Sequence, residues 1–305
     1  MVTHSAQTMS NQDFYHTTVL LHEAVDGLAI KEDGTYVDVT FGGGGHSRLI
    51  LSKLGPKGRL IAFDQDEDAW RNKPDDDRLT PVTENFMYMR RFLRLHGITE
   101  VDGILADLGV SSFQFDTADR GFSLRFDGPL DMRMDKRGEI TAAHILKTYT
   151  EPQLHKLFEQ YGEVRNSKQL AKHIVDNRKA TNVTTIAALK AMLAPVMRGG
   201  NPNRYLAQVF QALRIEVNNE LGVLKDFLQQ SAQCLKPGGR LSVISFHSLE
   251  DRLVKQYIKR GVWNDNEESN IVLKAVNNKP IEPTEEEIKV NNRARSARLR
   301  VAEKI

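Results

Sequence analysis

Three carboxylates and a run of glycines are the residues of this 305-residue chain best suited to binding a ligand. Asp38 lies in a β-rich run from Thr35 to Thr40, and four consecutive glycines, Gly42 to Gly45, follow this run before the pattern becomes helical. Glycines at such a strand-to-helix corner let the backbone turn sharply and let a ligand approach it closely. The helix that follows offers free N–H groups to the ligand. Asp64 and Asp107 end two further strand patterns, so the sequence predicts a ligand pocket where these strands end.

The charges of this pocket favour a nucleoside with a cationic end over a dinucleotide. Asp64, at the tip of the second strand, is placed to accept both hydroxyls of a ribose. Counting from Gly42 puts Ser47 where the dinucleotide fingerprint requires its third glycine. Asp38 would repel a pyrophosphate and attract an amino group such as that of S-adenosylmethionine. S-adenosylmethionine is therefore the predicted cofactor, and the open alternatives are a nicotinamide dinucleotide and a structural turn with solvated carboxylates.

Strand and helix patterns alternate up to about residue 110, which predicts a parallel α/β sheet with right-handed crossovers. The predicted strands are 35–40, 59–64, about 79–83, 101–107, 239–246 and 297–302. The predicted helices are 45–54, 66–72, 87–96, 141–148, 151–161, 165–179, 184–193 and 203–235. Between the strands 101–107 and 239–246 only helical patterns follow a loop at 113–139, so we predict a sheet domain of residues 1–112 and 205–305 with an inserted helical domain of residues 113–204.

Composition and segment patterns predict a cytoplasmic globular protein without a membrane partner. Hydrophobic residues make up 40% of the chain and charged residues 27%, which is ordinary for this class. Residues 1–13 are polar and lack the apolar core of a signal peptide. The single cysteine, Cys234, excludes a disulfide framework within the chain and fits a reducing compartment. His16 and His22 are spaced for neither a helical pair nor a zinc motif, so no metal is predicted.

The distribution of charge predicts a polyanionic partner. Nine lysines or arginines and a single acid, Asp176, lie in the segment from Arg165 to Arg214, whereas the whole chain carries a net charge of +2. The C-terminal tail adds Arg293, Arg295, Arg298 and Arg300. Such asymmetry is typical of nucleic-acid binding, although a solvated helix face is the commonplace alternative. Lys168, Lys172 and Arg178 are the predicted RNA contacts.

Several long sequence motifs extend the prediction from a cofactor to a reaction. They include Asp102-Gly-Ile-Leu-Ala-Asp-Leu-Gly-Val-Ser-Ser112, Gly128-Pro-Leu-Asp-Met-Arg-Met-Asp135, Phe210-Gln-Ala-Leu-Arg-Ile215, Ser245-Phe-His-Ser-Leu-Glu-Asp-Arg252 and Asn292-Arg-Ala-Arg-Ser-Ala297. With the glycine corner, they resemble the bacterial S-adenosylmethionine-dependent methyltransferases that modify N4 of a cytosine in 16S ribosomal RNA. The resemblance covers nearly the whole chain.

That resemblance implies a class I (Rossmann-like) methyltransferase sheet with an inserted helical domain that helps to hold RNA. The implied substrate is a specific cytosine near the decoding site of 16S ribosomal RNA, within the small ribosomal subunit. Carried over by matching position, the cofactor contacts are Gly44, Gly45, His46, Asp64, Phe86, Asp107 and Gln114. The sequence departs from the family where Phe113 replaces the usual proline before Gln114. The oligomeric state stays open.

Methylation of an exocyclic amine needs a hydrogen-bond acceptor, because the lone pair of cytosine N4 is delocalised into the ring. Asp107, at the end of the fourth strand beside the cofactor, is the predicted group that accepts this hydrogen bond and then the proton. Methylation at C5 would need a thiolate, and Cys234, at a helix end, is interpreted as a small buried hydrophobe. Phe113 or Phe246 is the predicted aromatic clamp for the base.

Several further polar residues have two interpretations. His247 follows a strand end, where it either lines the site or makes a structural hydrogen bond. Asp131 and Arg133 either bind substrate or pin the loop through salt bridges, and the position of the loop after Asp107 favours a substrate lid. An RNA-binding assembly factor without catalysis is the alternative for the whole chain.

Overall fold

A seven-stranded mixed sheet forms the centre of the computed structural model, which describes residues 18–197, 200–263 and 266–305. The strands are β1 Thr35–Asp38, β2 Arg59–Phe63, β3 Leu79–Val82, β4 Val101–Asp107, β5 Leu235–Ser245, β6 Leu273–Ala275 and β7 Arg298–Lys304. Their order is β3-β2-β1-β4-β5-β7-β6, with β1 to β5 parallel and β7 antiparallel to both of its neighbours. The predicted class I methyltransferase sheet with a helical insertion is confirmed.

Helices cover both faces of this sheet. They are α1 Leu21–Gly27, α2 Gly45–Lys53, α3 Met89–Leu95, α10 Glu220–Cys234 and α11 Ser248–Arg260, with a short α12 at Glu285–Val290. Alternate residues of β1 enter opposite apolar clusters, Tyr36 on one face and Val37 on the other. Residues in the middle of the central strands are therefore buried on both faces of the sheet, as expected for parallel strands covered on two sides. None of the helices in the described part of the chain is long and apolar enough to cross a membrane.

A second apolar core lies between β4 and β5 in the sequence. It is built by α4 Ser112–Asp116, α5 Ala142–Thr148, α6 Glu151–Gln160, α7 Ser167–Asn177, α8 Ile186–Leu193 and α9 Pro202–Asn218 with the loops that join them. Tyr205, Val209 and Leu213 of α9 are buried in this core. The division at residues 113–204 stays a proposal, and the packing of α9 favours extending the insert to Asn218.

Two predicted elements differ from the structure for local reasons. The helix predicted over 203–235 is two helices, because Asn219 adopts a left-handed conformation with φ of +46° between α9 and α10. Strand β5 begins at Leu235, before the predicted residue 239, and its register with β4 shifts between Val101 and Gly103. Pro237 lies in this irregular part, where the missing N–H of a proline is tolerated.

Candidate functional site

The glycine corner between β1 and α2 leaves its outer side open. Gly42 and Gly44 adopt left-handed conformations with φ of +51° and +76°. A Cβ built at Gly43 would meet no described heavy atom within 4 Å, whereas one at Gly44 would lie 2.7 Å from the Phe41 ring. Helix α2 begins at Gly45 directly behind this opening. The corner therefore fits a ligand that approaches the backbone and the N-terminus of α2.

Asp64 holds the corner against the end of β2. Its Oδ2 accepts a hydrogen bond of 2.8 Å from the Gly42 N–H, and its Oδ1 accepts one of 2.9 Å from the Asp66 N–H. Burial raises the pKa of Asp64 to about 7, against these hydrogen bonds. A carboxylate has about four lone-pair positions, so two remain for the ribose hydroxyls predicted to bind here.

Asp38 contradicts the prediction that it faces the amino group of the cofactor. Its side chain is fully buried, its Oδ2 accepts a hydrogen bond of 2.6 Å from the Ser47 hydroxyl, and its Oδ1 accepts one of 3.1 Å from the Thr40 N–H. Ser47 stands at the third glycine position of the dinucleotide fingerprint and is the partner that draws Asp38 beneath the corner. Asp38 therefore orients the turn and the start of α2.

The burial of Asp38 predicts a pH-dependent stability. Burial raises the pKa of Asp38 from 3.8 to about 6. The folded protein therefore binds the proton of Asp38 more tightly than the unfolded chain does, and this contribution to the free energy of unfolding is complete below about pH 4 and is lost as the pH rises through 6. Asp38→Asn cannot lose this contribution. Between pH 4 and pH 7 the free energy of unfolding of the unsubstituted protein should therefore fall relative to that of Asp38→Asn by up to about 3 kcal/mol. Urea denaturation at both pH values measures it.

Asp26→Asn is the matched control, because Asp26 is exposed and pairs with Lys53 on the surface. Its stability difference from the unsubstituted protein should be nearly the same at both pH values. A difference for Asp38→Asn that also stays constant would mean that folding does not shift the pKa of Asp38, and it would contradict the prediction.

Asp107 and His46 meet at the opposite wall of the corner. The Asp107 N–H donates a hydrogen bond of 2.6 Å to the Thr40 hydroxyl, and the carboxyl Oδ1 has no hydrogen-bond partner in the described part of the chain. Burial, followed by the charges of Asp38 and Glu250, raises the pKa of Asp107 well above its ordinary value. The partly exposed carboxyl therefore binds a proton more tightly than an ordinary aspartate does.

His46 is buried and uncharged near neutral pH, because burial lowers its pKa to about 4. Its Nε2 lies 3.2 Å from the Val19 carbonyl oxygen, so this nitrogen carries the proton. The unprotonated Nδ1 lies 3.8 Å from Asp107 Oδ2. This geometry fits a packed wall residue of the pocket better than a general base.

Phe86 and Gln114 complete the predicted cofactor contacts. Phe86 follows β3, is half-buried, and packs edge-to-face on Phe227 with ring centroids 5.3 Å apart. Gln114 is buried, and its Nε2 donates a hydrogen bond of 2.8 Å to Asp66 while its Oε1 accepts one of 3.2 Å from the Ser111 N–H. The Gln114 amide is thus engaged by the protein itself, so it orders the loop above the corner.

Sequence reasoning missed the buried ion pair between Asp66 and Arg120. Arg120 Nη1 lies 2.6 Å from Asp66 Oδ2, and Arg120 Nη2 donates hydrogen bonds of 3.1 Å to the carbonyl oxygens of Arg133 and Met134. This guanidinium joins the loop after β2 to two distant parts of the 113–139 loop. A separation of 54 residues leaves no periodic signal for the pair.

The predicted substrate contacts in the 113–139 loop are engaged with each other. Arg133 Nη2 lies 2.6 Å from Asp131 Oδ2, and Arg133 Nε donates a hydrogen bond of 2.8 Å to Asp131 Oδ1. Arg133 Nη1 also donates to the Lys136 carbonyl at 3.1 Å. The interpretation of these residues as loop pins therefore fits the structure, and their predicted contact with substrate is not supported.

The three predicted RNA contacts on α7 differ in their availability. Lys168 is exposed, and Lys172 is exposed with its Nζ 3.2 Å from Asp176. Arg178 Nη1 instead donates hydrogen bonds to the carbonyls of Leu146 and Tyr149 at the end of α5, the first at 3.2 Å. Arg178 therefore connects α7 to α5, and its predicted contact with RNA is not supported.

His247 belongs to an ionic network at the end of β5. Glu220, His247 and Glu250 bring one ligand atom each within 4.8 Å of one another. Arg214 binds both Glu220 oxygens at 2.8 and 2.9 Å, and His247 Nδ1 accepts the Glu250 N–H at 3.5 Å. His247 Nε2 lies 3.2 Å from Glu250 Oε1, so both ring nitrogens face groups of Glu250. The arrangement supports the structural interpretation of His247, as the N-cap of α11.

Comparison with known proteins finds similarity over almost the whole chain. Residues 13–305 match the MraW methylase family. The chain is 54% identical to Ribosomal RNA small subunit methyltransferase H of Flavobacterium johnsoniae over 297 residues, 95% of this chain and 98% of that protein. It is 53% identical to the protein of the same name from Bacteroides thetaiotaomicron over 296 residues, 95% of this chain and 97% of that one. The protein of that name from Cytophaga hutchinsonii is 52% identical over 298 residues, 95% of this chain and 99% of that one.

Proposed function

This chain belongs to the MraW methylase family, and we propose that it transfers a methyl group from S-adenosylmethionine to the exocyclic N4 of a specific cytosine in 16S ribosomal RNA near the decoding site. The names of its close relatives support a ribosomal RNA of the small subunit as the substrate. The proposed substrate form is RNA within the small ribosomal subunit, and the proposed location is the cytoplasm.

The Asp107 carboxyl is the observation that best supports an amine as the acceptor of the methyl group. The side chain is partly exposed at the end of β4, whereas its Oδ1 is buried and has no hydrogen-bond partner among the described residues, so the exposed part of the carboxyl is the part open to substrate. A hydrogen bond from the N4–H to this carboxylate would localise the nitrogen lone pair and orient it toward the methyl group. Asp107 would then hold the released proton, for which its raised pKa suits it.

The described residues also fit the proposed methyl donor. Bound S-adenosylmethionine supplies an electrophilic methyl group on a sulfonium centre. The open backbone at Gly42 and Gly43 leaves room for the cofactor, and Asp64 would accept the ribose hydroxyls. The neutral His46 would add no positive charge to a pocket that holds a sulfonium, and its burial keeps water from this wall. The proposed cofactor contacts remain Gly44, Gly45, His46, Asp64, Phe86, Asp107 and Gln114.

Identification of the methylated nucleoside tests this function. Purified protein is incubated with tritiated S-adenosylmethionine and small subunits from cells that lack this gene, and the RNA is digested to nucleosides. Label in an N4-methylated cytidine is the expected result. Label in another nucleoside would retain the enzyme class and reject the target atom, and absence of label despite cofactor binding would favour the non-catalytic RNA binder.

Two exposed lysines of α7 should contribute to RNA affinity. Changing Lys168 and Lys172 together to glutamate should weaken binding of small-subunit RNA and make the plot of log affinity against log salt shallower by about two. The reason is that each neutralised phosphate releases counterions, and each reversed lysine removes one such contact. Filter binding across a range of salt concentrations measures both quantities.

The double variant Lys57→Glu with Lys274→Glu is the matched control, because it makes the same change of charge at exposed lysines outside the insert. Its salt dependence should stay close to that of the unsubstituted protein. Equal effects of both double variants on RNA binding would mean that only the net charge of the protein matters, and they would contradict a direct contact between α7 and RNA.

A further inference from the structure

An exposed aromatic ring lies at the mouth of the glycine corner. Phe113 is the second residue of α4, and its side chain is 39% exposed. Its neighbour Gln114 turns inward to Asp66, so α4 presents one side to the corner and the Phe113 ring to solvent. A Cβ built at Gly42 would lie 4.0 Å from Ser111 Cβ, which brings the start of α4 over the glycines. Exposure of a large apolar ring at this position needs a reason.

Arginines lie against two rings of α4, the exposed Phe113 and the partly buried Phe115, which also packs on the second apolar core. The guanidinium of Arg71 lies over the Phe113 ring, 5.7 Å from its centroid. Arg125 and Arg293 approach the Phe115 ring at 5.7 and 4.5 Å. We call these five residues the α4 patch. The patch draws its cations from the loop after β2, the 113–139 loop and the C-terminal tail, so the fold assembles it from three separate parts of the chain.

An aromatic face flanked by guanidinium groups suits an unpaired nucleobase better than an apolar partner. Every base has a π-face that stacks on an aromatic ring, and the neighbouring arginines attract the adjoining phosphates. Two of these arginines, Arg71 and Arg293, are also paired with Asp68 and Asp116. An apolar peptide would gain nothing from three cations at the rim. Bases within a duplex are stacked on each other and cannot use such a ring.

We propose that Phe113, assisted by Arg71, is a stacking platform for an unpaired base of the RNA substrate, which makes single-stranded or splayed RNA the class of substrate that this site accepts. This inference rests on the proposed function and adds to it the form of the RNA at the site. Phe113 is a binding and positioning residue in this proposal, and Asp107 keeps the chemistry.

Fluorescence of Phe113→Trp tests the stacking directly. The two native tryptophans, Trp70 and Trp263, give the background, which is measured in the unsubstituted protein. A single-stranded RNA oligonucleotide from the small-subunit RNA should quench the emission of the new tryptophan, and the same strand annealed to its complement should quench it much less. Equal quenching by both forms, or none by the single strand although it binds, would overturn the proposal.

Kinetics with three variants separate stacking from mere exposure. Phe113→Ala should raise KM for RNA on the order of tenfold, with a smaller change in kcat, and Phe113→Tyr should restore KM. Phe126→Ala is the matched control, since Phe126 is 41% exposed on the same loop and lies outside the α4 patch. Equal KM values for Phe113→Ala and Phe126→Ala would overturn the stacking role and leave the methyltransferase function standing. Failure of the unsubstituted protein to bind any RNA would overturn both.

Discussion

Replacing Asp107 by asparagine is expected to lower kcat for methyl transfer by about 10²- to 10⁴-fold, the usual contribution of a positioned general base. Asparagine keeps the shape of the side chain and an oxygen that accepts a hydrogen bond, but it cannot take the proton from the acceptor amine. The effect should fall on kcat, because the amide still fills the wall of the pocket. Single-turnover transfer of labelled methyl to small subunits measures it.

The pH profile gives this prediction a second measurement. The carboxyl must be ionised to act as the acceptor, and its pKa is raised well above the ordinary value by burial and by the charges of Asp38 and Glu250. The rate of the unsubstituted protein should therefore rise with pH through the pKa of Asp107. In Asp107→Asn this rising limb should be absent, while any limb due to other groups stays.

Asp102→Asn separates chemistry from stability. Asp102 lies on the same strand at its opposite end, where it accepts hydrogen bonds from Lys236 and from the Thr35 N–H. Its replacement should lower the melting temperature and leave kcat close to that of the unsubstituted protein at temperatures where the protein is folded. An unchanged kcat in Asp107→Asn would remove Asp107 from the reaction and leave it as a wall of the cofactor pocket.

The position of Asp107 shows what a sequence pattern can predict about a site. Parallel strands end at a common edge, so the acids that follow three strand patterns had to lie near one another, and the glycine corner had to face the same edge. Asp64 and Asp107 are found there, on either side of the corner. This part of the prediction depended only on the existence of the strands, which hydrophobic runs indicate, and on their parallel direction, which the alternation with helices indicates.

The sequence pattern could not predict the direction of individual side chains or contacts between residues distant in the sequence. Asp38 has the predicted position, but the Ser47 hydroxyl takes its carboxylate beneath the turn. Arg178 lies in a basic segment, yet its guanidinium serves two carbonyls at the end of α5. Each of these outcomes depends on hydrogen-bond partners whose places are set by tertiary packing. The same holds for the break at Asn219, where α9 and α10 share a continuous helical pattern in the sequence.

The Asp66–Arg120 pair is the contact for which the structure predicts the largest effect on stability. Both side chains are almost completely buried, with 5% and 6% of their surfaces exposed. Replacing Arg120 by methionine keeps much of its volume but leaves a buried carboxylate with Gln114 as its remaining side-chain partner. Such a broken buried pair costs about 3–5 kcal/mol. Urea denaturation should record this loss in the free energy of unfolding.

Burial should decide the size of this effect, and the chain contains the control that tests it. Arg133 and Asp131 are joined at the same nitrogen–oxygen distance of 2.6 Å, but 26% and 23% of these side chains are exposed. Solvent screens this pair, so Arg133→Met should cost no more than about 1 kcal/mol through its ion pair. In the double variant Asp66→Asn with Arg120→Met, the uncompensated charge is gone, and its destabilisation should be smaller than the sum of the two single effects. Equal costs for Arg120→Met and Arg133→Met would contradict the argument, because distance alone would then set the strength of both pairs.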